Sequence, residues 1–292
     1  MIYVIANRLS GGGKGAACLK KAEEILSARG AEFKTLITEH AGHGAALAKQ
    51  ACADICCRRI IAIGGDGTFS EILNGMDLSV PIAFVPAGTG NDFVKGAGLE
   101  ANTEKAVRAA LDGHVTLYDI LSVSGKRCLN IAGTGFDVDV LLHEAKIRKV
   151  LPGKLSYTVA LLRALAKLRF TDVKLTIDND KHMVLSVFLL AAANGKYYGG
   201  GLPICLDASC NDGYIDLVII KKLPRSAIPH ILYKFFKGEL KQVTKHVEIH
   251  RCKSLTFDTA SSLPVNMDGE LIDGLLPARI AVQEKRLQVM TF

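Results

Sequence analysis

The sequence predicts an α/β protein of two domains, in which a doubly wound parallel sheet is followed by an antiparallel β-sandwich with helices. Two observations support this prediction. Short apolar β-rich runs alternate with helical patterns through the first third of the chain, and strict alternation is typical of a parallel sheet. After about Val115, strand patterns follow one another through short polar turns such as Ser124-Gly125-Lys126, as antiparallel hairpins require.

Each element of the first domain is predicted from its hydrophobic period. Apolar runs bounded by turn residues predict strands, and apolar residues three and four positions apart predict helices. The predicted strands are residues 2–6, 34–38, 59–63 and 81–85. The predicted helices are residues 14–28, 45–57, 69–76 and 103–111.

The second domain is predicted in the same way, with helices near residues 155–168 and 225–236. Its predicted strands are residues 117–124, 127–132, 173–178, 183–193, 214–220, 247–252 and 254–258. Residues 1–120 are expected to form the first domain, with residues 279–292 returning to it. Residues 121–278 are expected to form the second domain, and the absence of a flexible linker pattern predicts that the two are tightly joined.

Composition and charge exclude several classes of protein. Hydrophobic residues make up 49% of the 292 residues, which predicts a folded chain. Lys and Arg outnumber Asp and Glu by 36 to 29, a balance that favours polyanionic ligands or an anionic membrane surface. No basic block or aromatic-rich basic motif is visible, so no nucleic-acid partner is expected.

The cysteine pattern and the apolar runs predict the cellular compartment of the protein. The eight cysteines show neither a CxxC pair nor the spacing of a zinc site, so we expect reduced structural thiols and a cytoplasmic protein. The N-terminus is interpreted as a first strand and not as a signal peptide. The longest apolar stretch, residues 183–193, is shorter than the roughly 20 residues of a transmembrane helix, so any lipid is expected to be met at the membrane surface.

The strongest motif is GGDGTFSEILNG at residues 64–75, where a predicted strand ends at Ile63 and a helix is predicted from Thr68. Glycines let the backbone approach an anion closely, and the N–H groups of a helix N-terminus favour negative charge. Asp66 would repel a bare phosphate, so it indicates a Mg²⁺ or water bridge to a nucleotide. The alternative is a plain strand-turn-helix with glycines for geometry.

A second glycine-rich turn follows the next strand, in PAGTGNDF at residues 86–93, where Thr89, Asn91 and Asp92 could bind nucleotide and metal-bound water. Both turns follow strand ends, the edge of a doubly wound sheet where ligands bind. We therefore expect them to face one cleft.

The loop after the first strand, residues 7–15, contains glycines and Lys14 that could hold phosphates. It does not match a P-loop, because Arg8 stands at the first glycine position of that motif and Gly15 at its Ser or Thr position. Gly11 and Gly13, with an alanine three residues later, satisfy GxGxxA, so a dinucleotide-binding fold stays an alternative.

Together these motifs resemble the catalytic domain of the diacylglycerol kinases, in the soluble bacterial branch related to sphingosine kinases and NAD kinases. Three further segments resemble the family in the same order: residues 7–14, residues 211–213 (Asn-Asp-Gly) and residues 267–270 (Met-Asp-Gly-Glu). GGDGT is shared with NAD kinases and loosely with phosphofructokinases, whereas the GTGNDF loop and the late DGE favour the lipid kinases. Arg8 departs from the family's proline.

The resemblance implies an NAD-kinase-like first domain, an ATP and Mg²⁺ requirement, and transfer of the γ-phosphoryl group to a lipid hydroxyl, with diacylglycerol as the expected acceptor. It implies that Lys14 and Lys95 meet phosphate or headgroup charge, and that Asp66, Asp92 and Asp119 organise water and Mg²⁺. The residues that it assigns to ATP are Asn7, Thr38, Gly64, Gly65, Asp66, Gly67, Thr68, Phe69, Ser70 and Thr89.

The resemblance also implies a base and a second metal. Either Asp268 or Glu270 would accept the proton of the lipid hydroxyl, the alternative being an ordinary Asp-Gly turn. Ser209, Asp212 and Tyr214 resemble a structural Mg²⁺ site in the second domain, in which Asp212 gives its carboxylate and the other two give main-chain carbonyls, the alternative being a turn without metal.

The lipid side is indicated by the amphipathic pattern of residues 154–169, which could rest on anionic headgroups, the alternative being a plain domain helix packed on the sheet. A second cationic strip, with the same two interpretations, is formed by the lysines at positions 234, 237, 241 and 245. The partner is therefore expected to be a lipid at the membrane surface, and a homodimer is possible. An NAD kinase and a catalytically silent nucleotide or lipid sensor are the rival functions.

Overall fold

The computed structural model describes residues 1–147, 151, 154–260 and 263–292. The first part of the chain forms four parallel strands in the order β4-β3-β1-β2, with helices on both faces. The strands are β1 (Ile2–Ala6), β2 (Phe33–Ile37), β3 (Arg59–Gly64) and β4 (Ile82–Pro86). The helices are α1 (Lys14–Ala28), α2 (His43–Ala53), α3 (Asp66–Gly75), α4 (Asp92–Gly96) and α5 (Thr103–Asp112).

Two hydrophobic layers sandwich this parallel sheet. Val4 and Ile61 pack with α1 and α5 on one face, whereas Ile5 and Ile60 pack with α2 and α3 on the other. Because successive side chains of a strand point to opposite faces, continuously apolar strands such as β1 and β3 can fill both layers. The strands β1, β3 and β4 are thereby covered on both faces, whereas the edge strand β2 is partly exposed.

The second part of the chain is mostly antiparallel, and three helices pack on it. The helices are α6 (Phe136–Ile147), α7 (Lys154–Ala166) and α8 (Ile228–Phe236). The first strands are β5 (His114–Val123), β6 (Lys126–Cys128), β7 (Ile131–Gly135), β8 (Thr171–Ile177), β9 (Lys181–Ala193), β10 (Tyr197–Tyr198) and β11 (Leu202–Pro203). The remaining strands are β12 (Ile215–Lys221), β13 (Val247–Cys252), β14 (Ser254–Thr259), β15 (Val265–Met267), β16 (Glu270–Ile272) and β17 (Ala278–Thr291).

The long final strand β17 joins the two parts. It pairs antiparallel with β5 and β14, and Val289 forms a parallel bridge to Ile82 of β4. The hydrogen-bonded sheet therefore runs from the parallel strands into the antiparallel ones without a break. We keep the division into residues 1–120 with 279–292, and residues 121–278, as a proposal for the domain boundaries.

The predicted class, a parallel α/β half followed by a β-sandwich with helices, is confirmed, and three local predictions are corrected. Helix α3 begins at Asp66 and not at Thr68. The strand predicted at residues 127–132 is two strands, β6 and β7, because the intervening backbone amides turn toward Asp268. Helix α6 was not predicted, although acidic residues in its first turn and Lys146 in its last turn suit the helix dipole.

Candidate active site

Three loops meet at the carboxyl ends of β1, β3 and β4. A side-chain Cβ at Gly11 would lie 2.0 Å from the carbonyl oxygen of Ala87, and one at Gly88 would lie 2.6 Å from the Cα atom of Gly65. Only glycine allows such close approaches of backbone to backbone. The glycines of the three motifs therefore bring the loops together, as the sequence predicted for the first two.

Asp66 and Asp92 lie in contact within this junction. The Asp92 backbone N–H donates to Asp66 Oδ1 at 2.6 Å, and a Cβ at Gly90 would lie 2.8 Å from Asp66 Oδ2 and 3.4 Å from Asp92 Oδ1. Two carboxylates thus face one small space next to the N-terminus of α3. The shared cleft predicted from the two glycine-rich turns is present.

The electrostatics of this acidic pair suit a cation. Asp92 is only 4% exposed, its Oδ2 accepts the Gly200 N–H at 2.9 Å, and its buried Oδ1 has no hydrogen-bond partner among the described residues. Burial, and secondly the charge of Asp92, raise the pKa of Asp66 to about 6. Burial also raises the pKa of Asp92. A buried oxygen without a donor beside a second carboxylate fits an oxygen-preferring cation such as Mg²⁺.

A polar pocket of about 400 Å³ opens beside the acidic pair. Asn7 Nδ2 donates to Thr68 Oγ1 at 3.2 Å across its floor. The predicted nucleotide residues that line it are Asn7, Thr38, Gly65, Gly67 and Thr68. Residues that the sequence reasoning did not identify also line it, namely Ser10, Glu39, His40 and Glu71. In the sequence, these residues are marked by their position alone: they follow β1 or β2, or lie one turn into α3.

Several predicted nucleotide residues support the loops instead of lining the pocket. Phe69 is fully buried against Phe84, and its N–H is bonded to the Gly65 carbonyl. Ser70 is buried as well. Asn91 has a φ of 53° and uses both ends of its amide on Gly88, so its side chain closes the turn. The side chains of Phe69, Ser70 and Asn91 therefore support the turns, and nucleotide contacts of these residues stay a prediction for their backbone.

The remaining residues of this end are arranged around the junction. The Gly64 carbonyl accepts from the N–H groups of Ala87 and Gly88, which ties the two turns together. Thr89 is exposed on the second loop, and Lys14 is exposed at the start of α1. Lys95 Nζ lies 3.6 Å from the position of a Cβ at Gly201, and its charge lowers the pKa of Asp92 against the larger effect of burial.

The Asp-Gly-Glu segment forms a tight turn between β15 and β16, with φ values of 50° at Asp268 and 90° at Gly269. The Asp268 carboxylate accepts the backbone N–H groups of Leu129, Asn130 and Ile131 at 2.7, 2.8 and 3.1 Å. Both of its oxygens are thereby occupied, so Asp268 holds the loop between β6 and β7.

Glu270 is the free carboxylate of the same turn. Its Oε1 lies 3.6 Å from the position of a Cβ at Gly67, at the start of α3. Burial raises the pKa of Glu270, and the charges of Glu71 and Asp268 raise it further. A carboxylate of raised pKa beside a phosphate-binding helix end can accept a proton from a nearby hydroxyl. Of the two bases left open by the sequence, the geometry favours Glu270.

Asp119 differs from the other two acids that were expected to organise Mg²⁺. It is 0% exposed, and its oxygens accept the N–H groups of Gly213 at 2.8 Å and Lys285 at 2.6 Å. No hydrogen bond joins it to Asp66 or Asp92 within the described part of the chain. Asp119 therefore anchors the 211–213 loop to β17, and its expected role in organising water around the phosphates stays a prediction.

The expected second metal site has an internal cation in its place. Asp212 Oδ2 accepts from Arg251 at 2.5 Å, and Oδ1 accepts the N–H of Tyr214 at 3.1 Å. The guanidinium also lies 4.4 Å from the centre of the Tyr214 ring, and the Ser209 hydroxyl donates to Asn211. Arg251 thus occupies the one carboxylate of the expected site, and a Mg²⁺ ion would have to displace it, so the second metal stays a prediction.

This ion pair leads to a testable difference. We expect chelation of Mg²⁺ to leave the melting temperature of the nucleotide-free protein unchanged, whereas Arg251→Met should weaken the fold slightly and make it respond to added Mg²⁺. Thermal melts with and without EDTA check this, with Lys253→Met, an exposed neighbour paired with Glu284, as the matched control. A melt that falls on chelation in the wild type and falls equally in Asp66→Asn, which removes a carboxylate of the acidic pair, would contradict the assignment of Arg251.

A second, apolar pocket lies in the C-terminal half, between β9 and the helices α6, α7 and α8. Its cavity volume is about 60 Å³, so the pocket is narrow. Leu161, Leu232 and Phe235 line its helical side. Gly199 and Gly269 line its other end, and their chain neighbours are Gly200, which binds Asp92, and Glu270. The apolar pocket therefore ends next to the acidic pair.

Comparison with known sequences decides the family. Residues 1–123 match the diacylglycerol kinase catalytic domain, and residues 130–291 match the YegS C-terminal NAD kinase beta sandwich-like domain. The chain belongs to the bacterial diacylglycerol kinase family. The kinase is 33% identical over 236 residues to a Staphylococcus haemolyticus protein provisionally named a lipid kinase, which covers 80% of this chain and 76% of that one.

Other relatives and solved structures agree with this membership. A Staphylococcus saprophyticus protein named diacylglycerol kinase is 27% identical over 238 residues, covering 80% of the kinase and 76% of that protein. A crystal structure of a diacylglycerol kinase from Bacillus anthracis superposes with a TM-score of 0.78 at 25% identity, over 100% of this chain and 96% of that one. An NAD kinase from Archaeoglobus fulgidus in complex with ATP shares the fold alone, with a TM-score of 0.53 at 14% identity over 100% and 93% of the two chains.

The family establishes the class of reaction, since its members are kinases with an alcohol acceptor. The kinase is thus a phosphotransferase that uses a hydroxyl as acceptor. Within the described residues, no helix is both long and apolar enough to pass through a membrane.

Proposed function

We propose that the kinase transfers the γ-phosphoryl group of Mg-ATP to the hydroxyl of a lipid alcohol, with diacylglycerol as the reference acceptor and phosphatidic acid as its product. One observation carries this proposal: the apolar pocket ends at Gly199 and Gly269, next to the residues that bind Asp92 and present Glu270. An acceptor with an apolar body in that pocket can bring its polar end to the acidic pair.

The donor side is supported by the junction of the three loops. The polar pocket lined by Asn7, Thr38 and Thr68 would hold the nucleotide, and the N-terminus of α3 would face the phosphates. Bound Mg²⁺ would neutralise charge on the β- and γ-phosphates. Asp66 and Asp92 would hold that ion, while exposed Lys14 would contribute positive charge at the rim.

On the acceptor side, we propose that Glu270 accepts the proton of the lipid hydroxyl. As the lipid oxygen bonds to the γ-phosphorus and the bond to the ADP oxygen breaks, the hydroxyl proton passes to the Glu270 carboxylate. Its position beside Gly67, in the first turn of α3, supports this role, since a base of raised pKa holds the proton better. Asp268 fixes the turn that presents it.

Approach to a membrane is part of the same proposal. Leu155 and Leu162 on α7, and Tyr233 and Phe236 on α8, are exposed, and Phe236 also lines the apolar pocket. Apolar side chains at the mouth of a pocket suit insertion among acyl chains. We propose peripheral binding of a cytoplasmic enzyme, and a homodimer remains part of the hypothesis.

The test follows transfer of the labelled γ-phosphate of ATP, with Mg²⁺ present, to dioleoylglycerol in mixed micelles and to NAD in solution. We expect a labelled lipid phosphate and no labelled NADP. Phosphorylation of NAD would favour an NAD kinase, and binding of Mg-ATP without transfer to any lipid of a broad panel would favour a nucleotide sensor.

A substitution in the apolar pocket separates its role from ATP binding. Leu232→Asp places a charge in the helical wall, so we expect KM for the lipid to rise about tenfold or more while KM for ATP is unchanged. Val184→Asp, at an exposed position of β9 outside that pocket, is the control and should behave as wild type. An unchanged lipid KM in the Leu232 variant would place the acceptor elsewhere.

A further inference from the structure

One buried carboxylate in the apolar pocket has no part in the transfer described above. Asp137 stands in the first turn of α6, lines the pocket and is 7% exposed. The side chains that line this pocket with it are largely apolar or aromatic, including Phe136, Val140 and Phe188. An acidic side chain is unfavourable in such apolar surroundings unless it has hydrogen-bond partners.

Only one oxygen of this carboxylate is bonded. Asn266 Nδ2 donates to Asp137 Oδ2 at 2.7 Å, whereas the buried Oδ1 has no hydrogen-bond partner among the described residues. The backbone N–H groups of Asp137 and Val138 lower its pKa without a well-formed bond to Oδ1. Tyr157 and Tyr198 lie near enough to feel its charge, but neither phenol is bonded to it.

An unpaired buried oxygen is costly, and more so when charged. Burial raises the pKa of Asp137 to about 6. Folding therefore leaves in the pocket a strong acceptor that lacks a donor. Glu270 already takes the proton of the reacting hydroxyl in the proposed reaction, so a lipid with a single hydroxyl has no donor left for Asp137.

We propose that Asp137 Oδ1 selects acceptor lipids that carry a second hydrogen-bond donor, a hydroxyl or an ammonium group, close to the hydroxyl that is phosphorylated. This inference rests on the proposed lipid kinase function and narrows its acceptor beyond diacylglycerol, which has no second donor.

A short chain of contacts places Asp137 near the turn that carries the base, so the second donor of the lipid should lie near its reacting hydroxyl. Asn266, which binds Asp137, also accepts the Gly269 N–H at 3.0 Å through its Oδ1. Gly269 directly precedes Glu270 in the turn. Asp137 is thus joined to the turn that presents the base through one side chain, so its free oxygen serves a donor near the reacting hydroxyl.

The test uses three single-chain acceptors that differ in one group. They are the hexadecyl ether of glycerol, the corresponding propanediol ether that lacks the middle hydroxyl, and the analogue with an amine in place of that hydroxyl. Phosphate transfer from labelled Mg-ATP gives kcat/KM for each, and dioleoylglycerol serves as the separate check of lipid kinase activity.

We expect the wild type to favour the glycerol ether or the amine over the propanediol ether by about tenfold to a hundredfold, the range for hydrogen bonds to charged groups. The better of those two acceptors identifies the donor as hydroxyl or ammonium. Asp137→Asn keeps the shape and the bond with Asn266 but turns an N–H donor toward the pocket, so the preference should disappear. Asp139→Asn, on the same helix but outside the pocket, should retain it.

A purely structural role of Asp137 would lower kcat/KM equally for all acceptors, and thermal melts show whether each variant is folded. Wild-type kcat/KM values no higher for the glycerol ether and the amine than for the propanediol ether, or a preference unaltered in folded Asp137→Asn, would overturn the inference while leaving lipid phosphorylation intact. Failure of every lipid, dioleoylglycerol included, would instead remove the proposed function and the inference with it.

Discussion

Glu270→Gln should lower kcat for lipid phosphorylation by about a hundredfold to ten-thousandfold, the usual contribution of a general base. The amide keeps the size of the side chain but cannot accept the hydroxyl proton. In the wild type, Oε1 of Glu270 lies beside Gly67 at the start of α3 and takes no part in the hydrogen bonds of the turn. We therefore expect Mg-ATP affinity and melting temperature to be retained, measured by calorimetry and thermal unfolding.

Asp268→Asn, two residues away, is the matched comparison and should behave in the opposite way. Three backbone N–H groups point at the Asp268 carboxylate, so an amide would lose charge-assisted bonds and would set one N–H against another. A loss of about 1–3 kcal/mol in the free energy of unfolding follows. If Asp268→Asn stopped turnover without loss of stability while Glu270→Gln remained active, the two roles would have to be exchanged.

Asp66→Asn should lower kcat by about a hundredfold or more. The same substitution should stabilise the nucleotide-free protein at neutral pH. The pKa of Asp66 is raised from 3.8 to about 6, so the folded state holds its proton more tightly than the unfolded chain. The stability from Asp66 is therefore complete below about pH 4 and is lost as pH rises through about 6. Asparagine removes that loss while keeping Oδ1 as the acceptor for the Asp92 N–H.

Thermal unfolding at about pH 4 and about pH 8 measures this effect, which we expect to reach on the order of 2 kcal/mol at the higher pH. Asp77→Asn is the control of opposite sign, because the N–H of Ser79 lowers the pKa of that exposed carboxyl. It should keep full activity and gain no stability. A less stable Asp66→Asn protein at about pH 8 would show that burial does not strain this carboxylate.

The parallel half could be predicted because each of its signals is local. Buried strands such as β1 and β3 are short apolar runs, and glycine-rich turns mark where they end. The close approaches at Gly11 and Gly88 explain why glycine stands there. The pairing of the Asp66 and Asp92 loops followed from one general property, that parallel strands end at the same edge.

The antiparallel half was harder, because its contacts join residues far apart in the chain. Asp268 looked like a candidate base until the N–H groups of Leu129 and Ile131, about 140 residues earlier, were seen to occupy it. Asp119 is likewise closed by Lys285. Burial and partner identity, which a single sequence does not display, decide which acids are free to do chemistry.

The most direct test is a crystal structure of the kinase with Mg²⁺, a non-hydrolysable ATP analogue and a lipid alcohol. The account predicts that Asp66 and Asp92 lie at the metal, that the γ-phosphate faces Glu270, and that the acyl or alkyl chain fills the apolar pocket beside Leu232. A triphosphate bound away from the two carboxylates, or a lipid seated outside that pocket, would contradict it.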